Sequence, residues 1–271
     1  MTSRPRVYKT EGIVLRRRNM GEADSLLTVF AVREGKFDAI ARGVRKSRSR
    51  MRGHLEPLTR TSMMLAQGRT FDVFTQAETV EPYLAIRGDL DRGAVAIYCA
   101  ELIDAFTADH VEQDDLYRLL VALFQAIDAG APLHIARHFE LQLLAISGYE
   151  LQVDGCAICG ERLDPEDTLL SPESGGLVCR SCRGSAGAGR LVSLRAVKVL
   201  RFARSAALAD FANLRVDDSL AHELESALAE VIRFVLEREP RARRWMDEVI
   251  SMPRLRTSEA GRTVLNTEPN D

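Results

Sequence analysis

The hydrophobic period of the chain changes once, near residue 82, and that change limits the fold more than any other feature of the sequence. Before it, apolar and β-branched residues recur in short alternating runs. Residues 7–15, 26–30, 36–41, 61–65 and 70–74 read as five strands. Asn19-Met20-Gly21 and Glu34-Gly35 are turn-like, and Gln67-Gly68-Arg69 predicts a hairpin between the last two strands. Five short strands with no helical stretch between them predict a small barrel, because closure removes the sheet edges that so small a domain would expose.

After residue 82 the spacing is helical. Leu90, Ala94, Ile97, Glu101, Leu102 and Ala105 form one stripe, and Leu116, Leu119, Leu120, Leu123, Phe124 and Ile127 form a second. Pro132 is placed to open a third helix, whose face would be Ile135, Phe139, Leu143 and Ile146. Ser193 and Asp217-Asp218-Ser219 are the expected N-caps of two later helices. The expected class is therefore α+β and multidomain. A barrel occupies residues 1–80, and a helical domain occupies 81–250 with an irregular insert at about 150–190. The polar segment 251–271, with Pro253 and Pro269, is expected to be disordered. The first residues lack the apolar stretch of a secretory signal, and no apolar run is long enough to cross a bilayer. The expected location is the cytoplasm, with no membrane partner.

The net charge of −2 conceals a division. Residues 1–80 hold 16 Lys and Arg against 8 Asp and Glu, a net +8, whereas residues 81–150 hold 4 against 12, a net −8. A basic head attracts polyanions; an acidic middle repels them or forms a solvated helical surface. The basic charge concentrates in residues 42–52, where Arg42, Arg45, Lys46, Arg48, Arg50 and Arg52 are six of eleven residues and no acid intervenes. Arg16, Arg17 and Arg18 add to it from the end of the first strand. Such a loop suits sequence-independent contact with phosphates, or is simply a solvated surface. Tyr8, Phe30, Phe37, Phe71 and Phe74 offer stacking faces, or fill the barrel core.

Four of the five cysteines form two CxxC pairs, Cys156/Cys159 and Cys179/Cys182, separated by 19 residues. Two such knuckles present four thiolates tetrahedrally and close the coordination sphere of zinc, so one structural Zn2+ is expected rather than a catalytic metal. The alternatives are a degenerate site without metal and a redox dithiol, which would need only one CxxC beside a βαβ unit. Cys99 stands alone in an apolar stretch and reads as a core residue. His134 and His138 share a helix face without a third ligand and read as helix surface. Arg241, Arg243 and Arg244 beside Trp245 either touch DNA or form a helix rim around a buried ring. No phosphate loop, HExxH, GxSxG or GxGxxG is present, so no enzymatic activity is expected.

The order of these parts, with Thr10-Glu11-Gly12-Ile13-Val14-Leu15, Gly21-Glu22-Ala23-Asp24, Gly35-Lys36 through Ala41-Arg42-Gly43-Val44-Arg45, and Leu55-Glu56-Pro57-Leu58, resembles the bacterial DNA repair protein RecO family over residues 7–250. The resemblance implies an N-terminal OB-fold β-barrel and a C-terminal α-helical domain with a zinc-ribbon insert. It implies binding of single- and double-stranded DNA and annealing of complementary strands without nucleotide hydrolysis. It also implies work with RecR, and in many members RecF, to load RecA onto strands coated with single-stranded DNA-binding protein (SSB), whose acidic-hydrophobic tail the helical region recognises. Carried onto this sequence, the DNA-facing residues are Arg42, Arg45, Lys46, Arg48, Arg50 and Arg52, with Arg16 to Arg18 beside them. The other classes consistent with the residues are a zinc-containing DNA-binding transcription regulator, a passive nucleic-acid-binding module and a zinc-dependent nucleic-acid enzyme. The last would need an open metal position that four thiolates do not leave.

Overall fold

The fold is taken from a computed structural model, which describes residues 6–163 and 168–251. Five strands come first: β1 (Val7–Met20), β2 (Asp24–Ala31), β3 (Gly35–Ala41), β4 (Arg60–Ala66) and β5 (Asp72–Glu81). They close into a barrel in the order β1–β2–β3–β5–β4, with β4 pairing back onto β1. All neighbours are antiparallel except β3 and β5, which is the strand order of an OB-like barrel. The expected strands are all present, and β1 and β5 run further than the alternation suggested. β1 continues through Arg16-Arg17-Arg18 to Met20 because Asp24–Thr28 of β2 supply its ladder partners; side-chain polarity does not decide pairing there.

The barrel is filled by Val14, Leu27, Val29, Phe37, Leu65 and Phe74. Ile13, Leu15 and Phe30 belong instead to the helical core, so the Ile13-Val14-Leu15 run is buried on both faces and loses polar alternation. Of the candidate stacking aromatics, Phe30, Phe37 and Phe74 are core residues, while Tyr8 and Phe71 are half-buried.

Among the described residues eight α-helices make up most of the second part: α1 (Leu84–Gly88), α2 (Leu90–Phe106), α3 (Asp114–Asp128), α4 (Ile135–Ile146), α5 (Leu194–Ser205), α6 (Leu208–Ala212), α7 (Asp218–Leu236) and α8 (Arg241–Ser251). The cap residues act as their chemistry requires: the Asp89 carboxylate accepts from the backbone N–H of Asp91 and Arg92, the Ser193 hydroxyl from Ala196, and Asp217 from Leu220. α2 is buried nearly all round, including Cys99, because β1, α3, α4 and α8 surround it. Against it, Arg137 and Glu140 of α4 form an ion pair at 3.1 Å with almost no solvent exposure, and the Tyr98 hydroxyl of α2 donates to Glu140 at 2.8 Å.

The histidines depart from expectation. His138 is buried, not on the helix surface, and packs with His134 on Phe211 of α6; its Nε2 lies 2.9 Å from the Ala206 carbonyl. A short helix folds over that face, and its brevity hides it from periodicity. Burial pushes both histidines below their ordinary pKa.

Three short strands, β6 (Thr168–Ser171), β7 (Gly176–Val178) and β8 (Arg190–Val192), form a separate sheet in the order β7–β6–β8 between α4 and α5. From residue 252 onward, the segment expected to be disordered lies outside the described residues. Among the described residues no helix is long and apolar enough to cross a membrane.

Candidate nucleic-acid interface and cysteine centre

The loop of residues 42–52 leaves the end of β3 and is anchored at its base. The Gly43 N–H donates to the Asp24 carboxylate at 2.7 Å, the Arg45 N–H donates to the Ala23 carbonyl at 2.9 Å, and the Arg45 guanidinium reaches the Gly21 carbonyl at 3.0 Å. Gly43 has φ +63°, a conformation that lets the chain turn sharply out of the strand. Val44 and Leu55, both fully buried, pin the loop to the barrel core. Between these anchors Arg42, Arg45, Lys46, Arg48, Arg50 and Arg52 are all exposed. Among the described residues Arg42, Lys46, Arg48, Arg50 and Arg52 make no ion pair or side-chain hydrogen bond. Six cations held within one loop, none neutralised by an acid, raise the local positive potential.

Arg16, Arg17 and Arg18 differ. Arg16 pairs with Asp104 of α2 at 3.2 Å and donates to Thr28. Arg18 pairs with Asp38 at 3.1 Å, on the same face of β1 as Arg16. Arg17 points elsewhere; it is 15% exposed and holds Glu56 at 2.9 Å. The structure brings Arg18 close to the barrel end that carries the loop and leaves Arg16 two residues further along β1, but their charge is partly spent on acids of β3 and α2, and that of Arg17 on Glu56. These partners are far away in sequence, so no local pattern announces them.

The second candidate site is the cysteine module. The Cys156 N–H donates to the Glu161 carbonyl at 2.8 Å, and the Gly160 N–H to the Cys156 carbonyl at 2.9 Å, which closes the first knuckle. Gly160 has φ +76°, the left-handed turn that lets the backbone leave Cys159. The second knuckle follows β7: Cys179 comes directly after the strand and caps a 3-10 turn over Arg180–Ser185 that carries Cys182. Leu169, Val178 and Ala186 make a small core behind Cys156 and Cys179.

The four Sγ atoms lie within 4.8 Å of one another, and those of Cys159 and Cys179 are 3.8 Å apart. A tetrahedral ion with metal–sulfur bonds of about 2.3 Å separates its sulfurs by about 3.8 Å, so the donor set fits a single metal ion. Burial raises the Cys156 thiol, but backbone N–H groups of Cys159, Cys179 and Ile158 outweigh it and bring it down to about 6. Hydrogen bonding with Cys159 and Cys179 pushes the Cys182 thiol up to about 12. The backbone N–H groups thus favour the thiolate form at Cys156, and a cation at the centre would supply the charge to ionise the rest.

Arg241, Arg243 and Arg244 separate at the start of α8. Arg243 is buried against Glu225 and Asp247, at 3.4 and 3.3 Å. Arg241 and Arg244 are exposed, and Trp245 is 38% exposed rather than buried.

An OB-like barrel with an anchored and unpaired cationic loop, joined to a helical bundle that carries a four-thiol module, defines a multidomain protein whose basic surface attracts polyanions. Comparison with known proteins places the chain more closely. The family model described as Recombination protein O N terminal matches residues 4–83, and that described as Recombination protein O C terminal matches residues 87–244. The chain is 38% identical over 256 residues to a DNA repair protein RecO of Roseiflexus sp. (strain RS-1), covering 94% of this chain and 89% of that protein. It is 36% identical over 248 residues to a DNA repair protein RecO of Dehalococcoides mccartyi, covering 91% and 98%. It is 37% identical over 232 residues to one of Heliobacterium modesticaldum, covering 84% and 85%. The chain belongs to the RecO family, whose field of action is DNA repair and recombination.

Proposed function

We propose that this protein is a recombination mediator. It binds single- and double-stranded DNA through Arg42, Arg45, Lys46, Arg48, Arg50 and Arg52, with Arg16 and Arg18 flanking the path, and anneals complementary strands without nucleotide. With RecR, and with RecF where the pathway uses it, it helps to load RecA onto SSB-coated DNA, holding the SSB tail on the helical region. The barrel of residues 1–80 carries the DNA, and residues 81–250 carry the protein partners. Its place is in the cytoplasm, at the nucleoid.

The observation that carries the reading is the set of six cations in one loop, none of which has an acid partner among the described residues, beside a first strand whose Arg16, Arg17 and Arg18 are each ion-paired. Two complementary strands repel each other. A protein that binds both through backbone charge lowers the repulsion and raises their local concentration, which requires no catalytic residue. The cysteine module supports one zinc ion held by Cys156, Cys159, Cys179 and Cys182. It acts as a structural clip between α4 and α5, because four thiolates leave no open position for a reacting water.

A fluorescence annealing assay with nucleotide omitted, at low and moderate salt, tests the function. Pairing should be accelerated at low salt and suppressed in step with DNA binding as salt rises. Binding without any acceleration over buffer would replace the mediator with a passive binding module.

A further inference from the structure

A cleft of about 470 Å³ lies where β1 of the barrel meets α2 and the corner between α7 and α8. Arg16, Arg238 and Arg241 line it with Glu101 and Asp104. Both acids are already engaged. The Glu101 carboxylate accepts from the backbone N–H of Arg241 and Ala242, at 2.9 and 2.5 Å, and so closes the first turn of α8. Asp104 holds Arg16 and the nearly buried Lys36, both at 3.2 Å. Among the described residues the Arg238 and Arg241 side chains make no ion pair, and with three arginines against two acids the cleft lining keeps a net positive charge. Arg244 and Trp245 follow Arg241 by three and four residues, on the same face of α8, and both are exposed.

The strand β1 links this cleft to the base of the basic loop. The loop is fastened to the β1–β2 turn at Gly21, Ala23 and Asp24. From that turn β1 runs back to Arg16, about 13 Å at ~3.3 Å per residue. Arg18 and Arg16 stand on one face of this stretch, and each remains about half exposed despite its ion pair, at 53% and 47%. Cations therefore step from the loop, along β1, into the cleft and up the exposed face of α8.

We propose that the cleft and the adjoining face of α8 form a second contact for a nucleic-acid backbone, with Arg238, Arg241 and Arg244 taking phosphates and Trp245 offering its ring to a base. The proposal rests on the reading that the loop binds DNA, and extends that interface from the barrel onto the helical domain. A short strand fills the barrel site alone; a longer one reaches the cleft. Phosphate contacts add affinity without sequence preference, and an indole is a stacking platform for any base.

The chain has one tryptophan, so its fluorescence reports on the cleft directly. Oligothymidine of about 8 nucleotides, the scale of one OB site, and of about 40 are titrated onto the full-length protein. The long strand should quench Trp245 and the short one should not. The Arg238→Ala/Arg241→Ala variant should bind the short strand as before. On the long strand its slope of log K against log salt should shrink by about 1.4, which is a roughly 7-fold smaller loss of affinity between about 50 and 200 mM salt. Arg241→Lys, which keeps the charge, should restore half or more of that difference, and unchanged thermal unfolding certifies the fold. Long-strand binding and quenching unaltered in the double variant, beside a loss in Arg48→Ala/Arg50→Ala/Arg52→Ala, would overturn the cleft contact and leave the loop reading intact. A loop variant that binds both strands like the parent would overturn the loop reading instead. Loss of binding to an acidic peptide alone, with strands unaffected, would also overturn the proposal, since the cleft would then be a protein-docking site.

Discussion

Replacing Arg48, Arg50 and Arg52 together by Ala removes three exposed guanidinium groups that hold no partner in the folded protein. Stability should therefore be unchanged, and the loss should fall on the ligand alone. Each cation that neutralises a phosphate of a single strand contributes about 0.7 to the slope of log K against log salt, so the triple variant should lose about 2 from that slope. A fourfold rise in salt, from about 50 to 200 mM, would then weaken the parent about 20-fold more than the variant. Fluorescence anisotropy on oligothymidine across that range gives the slope. Arg17→Ala is the internal control: its side chain is 15% exposed and committed to Glu56, so it should leave the slope where it is. Annealing should fall with binding in the triple variant and persist in the control. A slope unchanged by the triple substitution, or reduced as much by Arg17→Ala, would refute the assignment of the phosphates to the loop.

Protein purified without chelator should contain about one zinc per chain, and Cys156→Ser should lose it and loosen residues 150–190; elemental analysis below about 0.2 per chain rejects the metal. Glu140→Gln leaves Arg137 buried beside a neutral partner and should cost about 3–5 kcal/mol in urea unfolding, whereas a loss under about 1 kcal/mol would mean that water reaches the pair. Burial holds His134 and His138 below the ordinary value of about 6.5, so the unfolded chain binds more protons and stability falls as pH drops below about 6.5. His138→Gln should flatten that part of the stability–pH curve, and an identical curve would show that His138 takes up its proton without unfolding.

The sequence revealed the large elements and the close-range chemistry. Alternation and helical spacing located β1 to β5 and α2, α3, α4, α5 and α7, because each has enough residues facing one core to show a period. The cysteine module was legible for a different reason: each knuckle is local, and its ligands lie three residues apart whatever the surroundings. What stayed hidden was set by partners distant in the chain. Arg16, Arg17 and Arg18 look identical in sequence, yet Asp104, Glu56 and Asp38 give each a different fate. Arg243 is buried and Arg244 exposed, though they are neighbours in a basic run, because α8 turns one toward Glu225 and the other to solvent. His138 is covered by α6, a helix of five residues that no period can announce.

The acidic middle of the chain gains a physical account from the same contacts. A surface of net −8 beside a barrel that binds DNA, as proposed above, would oppose the strand it is meant to hold. Several of those acids are instead consumed in internal contacts. Asp104 clamps Lys36 and Arg16 of the barrel, Asp128 accepts from the backbone N–H groups of Ala85 and Ile86 at the start of α1, and Glu101 closes α8. Glu140 neutralises Arg137 in the core. The Tyr117 hydroxyl of α3 donates to Glu11, which also holds Arg60, so the barrel and α3 share one polar contact. Charge placed in capping and clamping positions is screened by the N–H groups and cations it holds, and projects little field outward. The loop cations have no such partners. The two halves can therefore be oppositely charged in total while the field at the loop and along β1 stays positive, and the test of this account is local. Asp104→Asn should free Arg16 and strengthen binding of long single strands severalfold at low salt, provided thermal unfolding shows the fold intact. Weaker binding by a folded Asp104→Asn protein would mean that Asp104 positions Arg16 for the strand and does not compete with it.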